Sequence, residues 1–192
     1  MKIGVLALQG AFIEHISVLQ SLGVESVEVR LPGELKDLDG LIIPGGESTT
    51  ITRLVDLFQL REPLFTLASD SFPIFGTCAG MIVLAGEAVN GSVNSMGVLD
   101  IKVKRNAFGR QVDSFQVDLE VPVLGKEPFP AVFIRAPYIE KMGRDVQLLA
   151  RLKDGPVVAA RQGKILVTSF HPELTRDNRF HRYFLDIVKG KG

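Results

Sequence analysis

The chain has 192 residues, with 22 basic and 22 acidic side chains and a formal net charge of zero at pH 7. This balance argues against a general nucleic-acid binder and against a protein held on an acidic membrane. A single cysteine excludes an internal disulfide, so a reducing cytoplasm is the predicted compartment. The longest uncharged stretch, residues 71–86, contains Pro and Gly and is shorter than the roughly 20 residues that a membrane-spanning helix needs.

Strand-like and helix-like patterns alternate in the first part of the chain. Residues 3–8 predict a strand, residues 11–22 a helix, residues 26–30 a second strand and residues 41–43 a third. This alternation is typical of a parallel sheet with helices on its faces.

Two apolar stripes at spacings of three and four predict helices that face a core. The first consists of Ile51, Leu54, Val55 and Phe58, and the second lies within residues 180–188. We interpret both as packing surfaces rather than as cofactor sites.

Between residues 98 and 167 the pattern changes to short β-rich segments separated by glycine-containing turns, including an alternating stretch over residues 112–119. No low-complexity linker divides the chain. The sequence therefore predicts one α/β domain over residues 1–192, with three layers: a mostly parallel central sheet, helices on both faces and a small antiparallel elaboration.

The one cysteine lies in Gly-Thr-Cys-Ala-Gly at residues 76–80, between the apolar runs 72–75 and 81–84. This arrangement is typical of a nucleophile elbow, a tight strand–turn–helix that exposes the reactive side chain. The N-terminus of the following helix favours the thiolate. A lone cysteine is more commonly a buried structural residue, but spacing, flanks and position here all favour Cys78 as a nucleophile.

A cysteine nucleophile needs a base and a group that orients the base. His15 and His181 lie in helical patterns and are predicted to be surface or packing residues. His171 follows a strand-like run and precedes Pro and Glu173. If the chain stays extended there, side chains two residues apart project to the same side. The sequence therefore predicts a constellation of Cys78, His171 and Glu173.

Ligands of open α/β sheets bind outside the carboxyl ends of the strands. Gly46, Cys78 and His171 each follow a strand-like run. We therefore expect these three distant parts of the sequence to converge.

The motif at residues 76–80, taken with His-Pro-Glu at residues 171–173, resembles the class I (triad-type) glutamine amidotransferases. Pro-Gly-Gly-Glu-Ser-Thr-Thr at residues 44–50 resembles the signature of the glutaminase subunit of pyridoxal 5'-phosphate synthase. Residues 4–10, 105–111 and 133–137 also resemble this subunit, so the resemblance covers essentially the whole chain. Such subunits hydrolyse glutamine to glutamate and pass the ammonia onward.

The resemblance assigns chemistry to particular residues. It implies that Cys78 forms a γ-glutamyl thioester, that His171 transfers protons and that Glu173 orients His171. It also implies that the backbone amides of Gly46 and Ala79 form the oxyanion hole.

The resemblance further implies a set of glutamine contacts: Gly46, Glu47, Ser48, Arg105, Ile134 and Arg135. Arginine suits a carboxylate, and Glu47 suits an ammonium group or an arginine. Gln9 has two interpretations of similar weight, as a support of the oxyanion loop or as a polar residue that ends a strand.

The motifs run from near the first residue to Glu173, so we expect the ammonia acceptor to lie on another polypeptide. The resemblance implies a (β/α)8-barrel synthase subunit that builds pyridoxal 5'-phosphate from a pentose phosphate, a triose phosphate and ammonia. Besides L-glutamine and this partner, neither nucleic acid nor a membrane is expected. We expect no cofactor, and no metal, because one cysteine and three scattered histidines do not form a ligand cluster.

Two other functions stay open from the residues alone. One is a different cysteine hydrolase on a related α/β fold, such as a peptidase or a γ-glutamyl hydrolase. The other is a non-enzymatic binding or regulatory subunit in which Cys78 is inert.

Overall fold

The computed structural model describes residues 1–89, 93–105 and 114–191. Within them, strands and helices alternate first and strands predominate later. The elements are, in order, β1 (Lys2–Leu6), α1 (Phe12–Ser21), β2 (Glu25–Val29), β3 (Gly40–Ile43), α2 (Ser48–Leu57), α3 (Arg61–Ser69), β4 (Ile74–Thr77), α4 (Ala79–Leu84), β5 (Ala85–Val89), β6 (Leu99–Lys104), β7 (Ser114–Leu119), β8 (Phe129–Ile134), β9 (Tyr138–Met142), β10 (Gln147–Arg151), β11 (Val157–Gln162), β12 (Ile165–Thr168) and α5 (Arg179–Val188).

The main sheet has the strand order β2-β1-β3-β4-β12-β11-β9-β6-β5, and β10 pairs with β11 outside this path. The first five strands are parallel to one another. From β12 to β6 the pairings are antiparallel, and β5 lies parallel to β6 at the far edge. Strands β7 and β8 form a separate antiparallel ribbon. The predicted α/β fold is confirmed, and its antiparallel part both extends the main sheet and forms this ribbon.

Two buried clusters cover the two faces of the sheet. Leu41 and Ile43 of β3 pack in one cluster with apolar side chains of α2, α3 and α4. Ile42, between them, packs in the other cluster with α1, α5 and β8. Alternate side chains of a strand point to opposite faces, so every residue of this central strand is buried. The predicted three-layer arrangement follows from this division.

The predicted apolar stripes agree with the structure except at one position. Ile51 and Val55 of α2 are buried and Leu54 is partly buried, but Phe58 is 38% exposed, so its prediction as a core residue is wrong. The helix ends at Leu57, and the chain has already turned away from the core at residue 58. In α5 the stripe is confirmed, with Phe184 among its fully buried side chains.

Some predictions concern segments outside the described residues. The alternating stretch 112–119 is described only from residue 114, where β7 begins. Of the motif at 105–111, only Arg105 is described.

Parallel pairing brings the ends of β3, β4 and β12 to one edge of the sheet. Ile43 lies opposite Gly76, and Thr168 lies opposite Thr77. The helix that follows β4 approaches β3 closely, because a Cβ atom at residue 80 would overlap the carbonyl oxygen of Ile43. This contact explains why the last position of the Gly-x-Cys-x-Gly motif is glycine.

None of the helices in the described part of the chain has the length and apolar character required to cross a membrane.

Candidate active site

Cys78 occupies the turn between β4 and α4, as the sequence predicts. Its backbone φ of 48° and ψ of −102° lie in a region that residues with a side chain rarely adopt. The turn is held because the Cys78 backbone N–H donates to the carbonyl oxygen of Thr168 at 2.8 Å. The side chain is 6% exposed, and Sγ lies 3.9 Å from the carbonyl oxygen of Ile134. The sulfur therefore faces a restricted opening at the edge of the sheet.

His171 and Glu173 are neighbours, but not through the extended backbone that the sequence predicts. Residues 172–174 form a short 3-10 turn, so that prediction is wrong. Proline fits the first position of a helical turn as well as an extended chain, because its fixed φ suits both. His171 Nδ1 still lies 2.6 Å from Glu173 Oε1. The backbone N–H of His171 donates to the carbonyl oxygen of Val132 at 2.8 Å, which ties this turn to β8.

The charges of this pair follow from its contacts. Burial alone would lower the pKa of His171, but hydrogen bonds with Cys78 and Glu173 raise it to about 10. Burial alone would raise the pKa of the Glu173 carboxyl, but His15 and His171 hold it below its usual value. An imidazolium between the sulfur and a carboxylate is therefore the stable arrangement near neutral pH.

The loop after β3 lies directly against His171. A Cβ atom at Gly45 would overlap Cε1 of the imidazole, so only glycine permits this approach. The Gly45 backbone N–H donates to Thr77 Oγ1 at 3.0 Å, and its carbonyl oxygen accepts from the Ala11 backbone N–H at 3.0 Å. The loop is thus fixed through both polar groups of Gly45.

Gln9 secures the next part of this loop. Its Oε1 accepts a hydrogen bond from the backbone N–H of Glu47 at 2.7 Å. A Cβ atom at Gly46 would come within 2.5 Å of the same oxygen. Of the two interpretations that the sequence left open for Gln9, support of the loop after β3 is the one that this geometry favours.

A cavity of about 450 Å³ opens over Cys78. Its lining contains every residue that the sequence resemblance assigns to glutamine. These residues are Gly46, Glu47, Ser48, Arg105, Ile134 and Arg135, together with Cys78, Ala79 and His171. Gln9 and Glu173 are not among the lining residues and lie behind the loop and His171, which suits supporting roles.

Glu47 has a structural role that the sequence analysis did not assign. Its carboxylate accepts backbone hydrogen bonds from Thr49 and Thr50 at 3.1 and 2.6 Å and so caps the N-terminus of α2. Burial tends to raise the pKa of Glu47, but the hydrogen bonds from Thr50 and Thr49 outweigh it and lower this pKa. Arg105 Nη2 lies 3.5 Å from Glu47 Oε1, so an arginine is one partner of this carboxylate.

The sequence analysis missed the polar contacts of His15 and His181. Both are fully buried, and His15 Nδ1 lies 2.9 Å from His181 Nε2. His15 Nε2 lies 3.2 Å from Thr77 Oγ1 and 3.4 Å from Glu173 Oε2. A signal was present, because each histidine lies on the apolar face of its helix, but that pattern fits an isolated packing residue equally well.

Among the residues that the structure describes, no group of three or more His, Cys, Asp and Glu side chains is arranged to hold a metal ion.

The site thus combines a thiol, an imidazole and a carboxylate, placed beside a glycine loop at the carboxyl ends of parallel strands. This arrangement defines a cysteine hydrolase of the α/β class. Comparison with known proteins narrows the class. A sequence model of the SNO glutamine amidotransferase family matches residues 5–189, and the chain belongs to this family.

Similar proteins cover nearly the whole chain. The pyridoxal 5'-phosphate synthase subunit PdxT of Dehalococcoides mccartyi is 59% identical over 191 residues, which are 98% of each chain. That of Herpetosiphon aurantiacus is 60% identical over 190 residues, covering 97% of this chain and all of its own.

Solved structures support the fold. A crystal structure of a glutamine amidotransferase superposes with a TM-score of 0.92 at 50% identity, covering 97% of this chain and 98% of that one. The structure of PurLQS from Thermotoga maritima has a TM-score of 0.69 at 16% identity, covering 97% of this chain and 98% of the matched one. The second likeness shows the fold alone.

Proposed function

We propose that this chain is the glutaminase subunit of a pyridoxal 5'-phosphate synthase, which hydrolyses L-glutamine to L-glutamate and ammonia for a partner subunit. The observation that carries the proposal is that Cys78 and His171 line one cavity with the residues expected to bind glutamine, while His171 Nδ1 lies 2.6 Å from Glu173 Oε1. Relatives about 60% identical over nearly their full lengths bear the name of such a subunit.

The chemistry begins with the Cys78 thiolate beside protonated His171. The sulfur attacks the side-chain amide carbon of glutamine, and the carbonyl electron pair moves onto oxygen. Collapse of this tetrahedral intermediate breaks the C–N bond, and His171 supplies the proton with which ammonia leaves. Water then attacks the γ-glutamyl thioester while His171 takes its proton, and the thiolate is released with glutamate. Glu173 keeps the imidazole oriented and stabilises its charged form.

The backbone amides of Gly46 and Ala79 stabilise the oxyanion in this proposal. Because the Gly45 carbonyl accepts from Ala11, the Gly46 N–H of the same planar trans peptide points the opposite way, away from Ala11. Ala79 is the first residue of α4, so its N–H has no partner within the helix. Loss of one such donor costs roughly 3–4 kcal/mol of barrier in comparable sites.

Recognition of glutamine falls to side chains around the cavity. A guanidinium of Arg105 or Arg135 binds the α-carboxylate through paired hydrogen bonds. Glu47 supplies negative charge for the α-ammonium group, while Ser48 and Ile134 complete the walls. The lining of the cavity by all of these residues supports the assignment.

We propose that residues 1–192 work as one glutaminase domain in the cytoplasm, with a (β/α)8-barrel synthase subunit as the ammonia acceptor. The relatives are named as subunits of pyridoxal 5'-phosphate synthase, which supports the presence of a further subunit as partner. A reducing compartment keeps the single cysteine in its reduced form.

The test is a glutamate-release assay at saturating glutamine, with the chain alone and with increasing amounts of the candidate synthase subunit. We expect release that requires Cys78 and that rises severalfold when the partner is present. Peptide cleavage without release of glutamate would favour a peptidase or γ-glutamyl hydrolase. Failure of a glutamine-like electrophile to alkylate Cys78 would favour a non-enzymatic subunit.

A further inference from the structure

A chain of buried polar groups lies behind the proposed active site. His181 Nε2 lies 2.9 Å from His15 Nδ1, and His15 Nε2 lies between Thr77 Oγ1 at 3.2 Å and Glu173 Oε2 at 3.4 Å. The two histidines are fully buried on α1 and α5, 166 positions apart in the sequence. The mechanism described above uses neither of them.

The contacts indicate which nitrogen carries each proton. In the described part of the chain, His181 Nδ1 is buried without a hydrogen-bond partner. A buried N–H without a partner is costly, so the proton of His181 belongs on Nε2, which then donates to His15 Nδ1. The proton of His15 consequently lies on Nε2, facing Glu173 and Thr77.

Both histidines are neutral at pH 7. Burial lowers the pKa of His15, even though Glu173 opposes this change. Burial also lowers the pKa of His181, to about 3. At pH 7 the neutral imidazole of His15, with its fixed tautomer, acts as a hydrogen-bond donor, and it is a counter-ion of Glu173 only at lower pH, where it is charged.

The two groups that His15 faces both support the reacting atoms. Glu173 presents Oε1 to His171 at 2.6 Å, and Oε2 has no conventional hydrogen bond among the described residues. Thr77 Oγ1 accepts the backbone N–H of Gly45, the glycine that lies against the imidazole of His171. A single side chain therefore contacts the supports of both the base and the oxyanion loop.

We propose that His15 is a positioning residue of the glutaminase site, holding Glu173 and Thr77 in place while His181 fixes its tautomer. His15 Nε2 is the side-chain group that lies against Oε2, at 3.4 Å, so without it the carboxylate is held less firmly in its direction toward His171. The imidazolium is then less stabilised, and the base is poorly aligned with Cys78. The proposal deepens the proposed function and rests on it.

The experiment compares His15→Gln with His15→Leu in the complex with the synthase subunit. The amide nitrogen of glutamine can occupy the place of Nε2 and donate to Glu173, whereas leucine cannot donate. We expect His15→Leu to lower kcat at least tenfold with little change in KM for glutamine. His15→Gln should recover most of this loss.

The second readout is the pH dependence of Cys78 alkylation by iodoacetamide, which requires neither glutamine nor the partner. The titratable groups that act on His171 are Cys78 and Glu173, and His15 lies within electrostatic reach of it. Because His15 is neutral at pH 7, its loss acts through weaker support from Glu173, which lowers the pKa of His171. We expect the alkaline limb of the profile to move to lower pH in His15→Leu and to return in His15→Gln. Leu19→Ala, on the same helix and fully buried, is the control that perturbs packing without moving the limb.

Equal kcat values for the Gln and Leu variants, or an unmoved alkaline limb in His15→Leu, would overturn the proposal and leave His15 a packing residue. If His15→Leu does not fold, His181→Gln and His181→Leu are compared instead. We then expect the alkaline limb of His181→Leu to move to lower pH by a smaller amount. An unmoved limb in His181→Leu would overturn the proposal. A normal alkylation profile without glutamate release in the unsubstituted protein would contradict the proposed function instead.

Discussion

The parallel and antiparallel halves of the sheet contribute different things to the site. In the parallel half, Gln9, Gly46, Cys78 and His171 follow the ends of β1, β3, β4 and β12, and β3, β4 and β12 are buried along their entire lengths. Among the antiparallel strands, β6 of the main sheet is followed by Arg105, and β8 of the separate ribbon ends at Ile134, which is 40% exposed. The reacting groups thus follow buried strands, whereas the recognition groups are divided between the loop after β3, which carries Glu47 and Ser48, and these more accessible strand ends. Variants of the first region should lower kcat, and variants of the second should raise KM.

Cys78→Ala should have the largest effect, because it removes the nucleophile of the parallel half. We expect glutamate release to fall by about 10⁴-fold or more, with the fold and partner binding retained. The measurement is glutamate release in the assembled complex, with circular dichroism as the control for folding. More than a trace of activity would remove Cys78 from the mechanism.

Gly45→Ala should have the next largest effect. The added methyl group overlaps the imidazole of His171 and comes within 3.2 Å of Cys78 Cβ, so either the loop or the base must move. Loss of alignment should lower kcat by about 10²-fold. Gly33→Ala is the matched control, because a Cβ atom there meets nothing within 4 Å. Similar kcat values for the two variants would show that the loop does not need its close approach to His171.

Arg105→Ala tests the recognition side of the comparison. Loss of one charge-assisted hydrogen bond to glutamine, worth about 1.5–3 kcal/mol, should raise KM roughly 10- to 100-fold while kcat changes less. Arg53→Ala, at an exposed position of α2, is the control for removal of a positive charge. If Arg105→Ala lowered kcat and left KM unchanged, the proposed division between the two halves would be wrong.

The smallest expected effect is a change in the free energy of unfolding at acid pH, which arises from the buried histidines behind the parallel half. Burial lowers the folded-state pKa of both His15 and His181, so below pH 6.5 the unfolded chain binds more protons and stability falls as the pH falls. His171, with its pKa raised to about 10, contributes its full stabilisation throughout this acid range. The carboxyl of Glu173, with its lowered pKa, adds a further loss only below about pH 4.5. The window from pH 6.5 to 4.5 therefore isolates the buried histidines.

In that window, each buried histidine should contribute up to about 1.4 kcal/mol per pH unit to the free energy of unfolding. His181→Gln should make the free energy of unfolding change less steeply with pH in this window. Urea denaturation at several pH values measures it. An unchanged slope in the variant would mean that His181 is charged in the folded protein.

The catalytic side of the site could be predicted because its signals are local. Residues 76–80 define their own turn, and the strand before each loop is continuous in the sequence. The contact between His171 and Glu173 was also expected, although the 3-10 turn that produces it was not, since Pro172 suits either conformation. Local patterns therefore indicate which residues meet better than they indicate the backbone that brings them together.

The contacts of His15 could not be predicted, because its partners come from three distant segments. A histidine on an apolar helix face indicates burial but does not specify Thr77, Glu173 or His181 as neighbours. The overlap between Gly45 and His171 is equally non-local. The prediction for Phe58 failed for a related reason, since periodicity continues past the residue at which α2 ends.

The hydrogen bond between the Cys78 N–H and the Thr168 carbonyl joins the nucleophile directly to the strand that leads to the base. His171 is three residues beyond Thr168, and Glu173 shares its turn. The separation between sulfur and imidazole is therefore set by the spacing of two adjacent strands and not by the lengths of the surrounding loops. A change in the length of the β7–β8 connection, at residues 120–128 and away from the Val132 contact with His171, would therefore leave the attack distance unchanged.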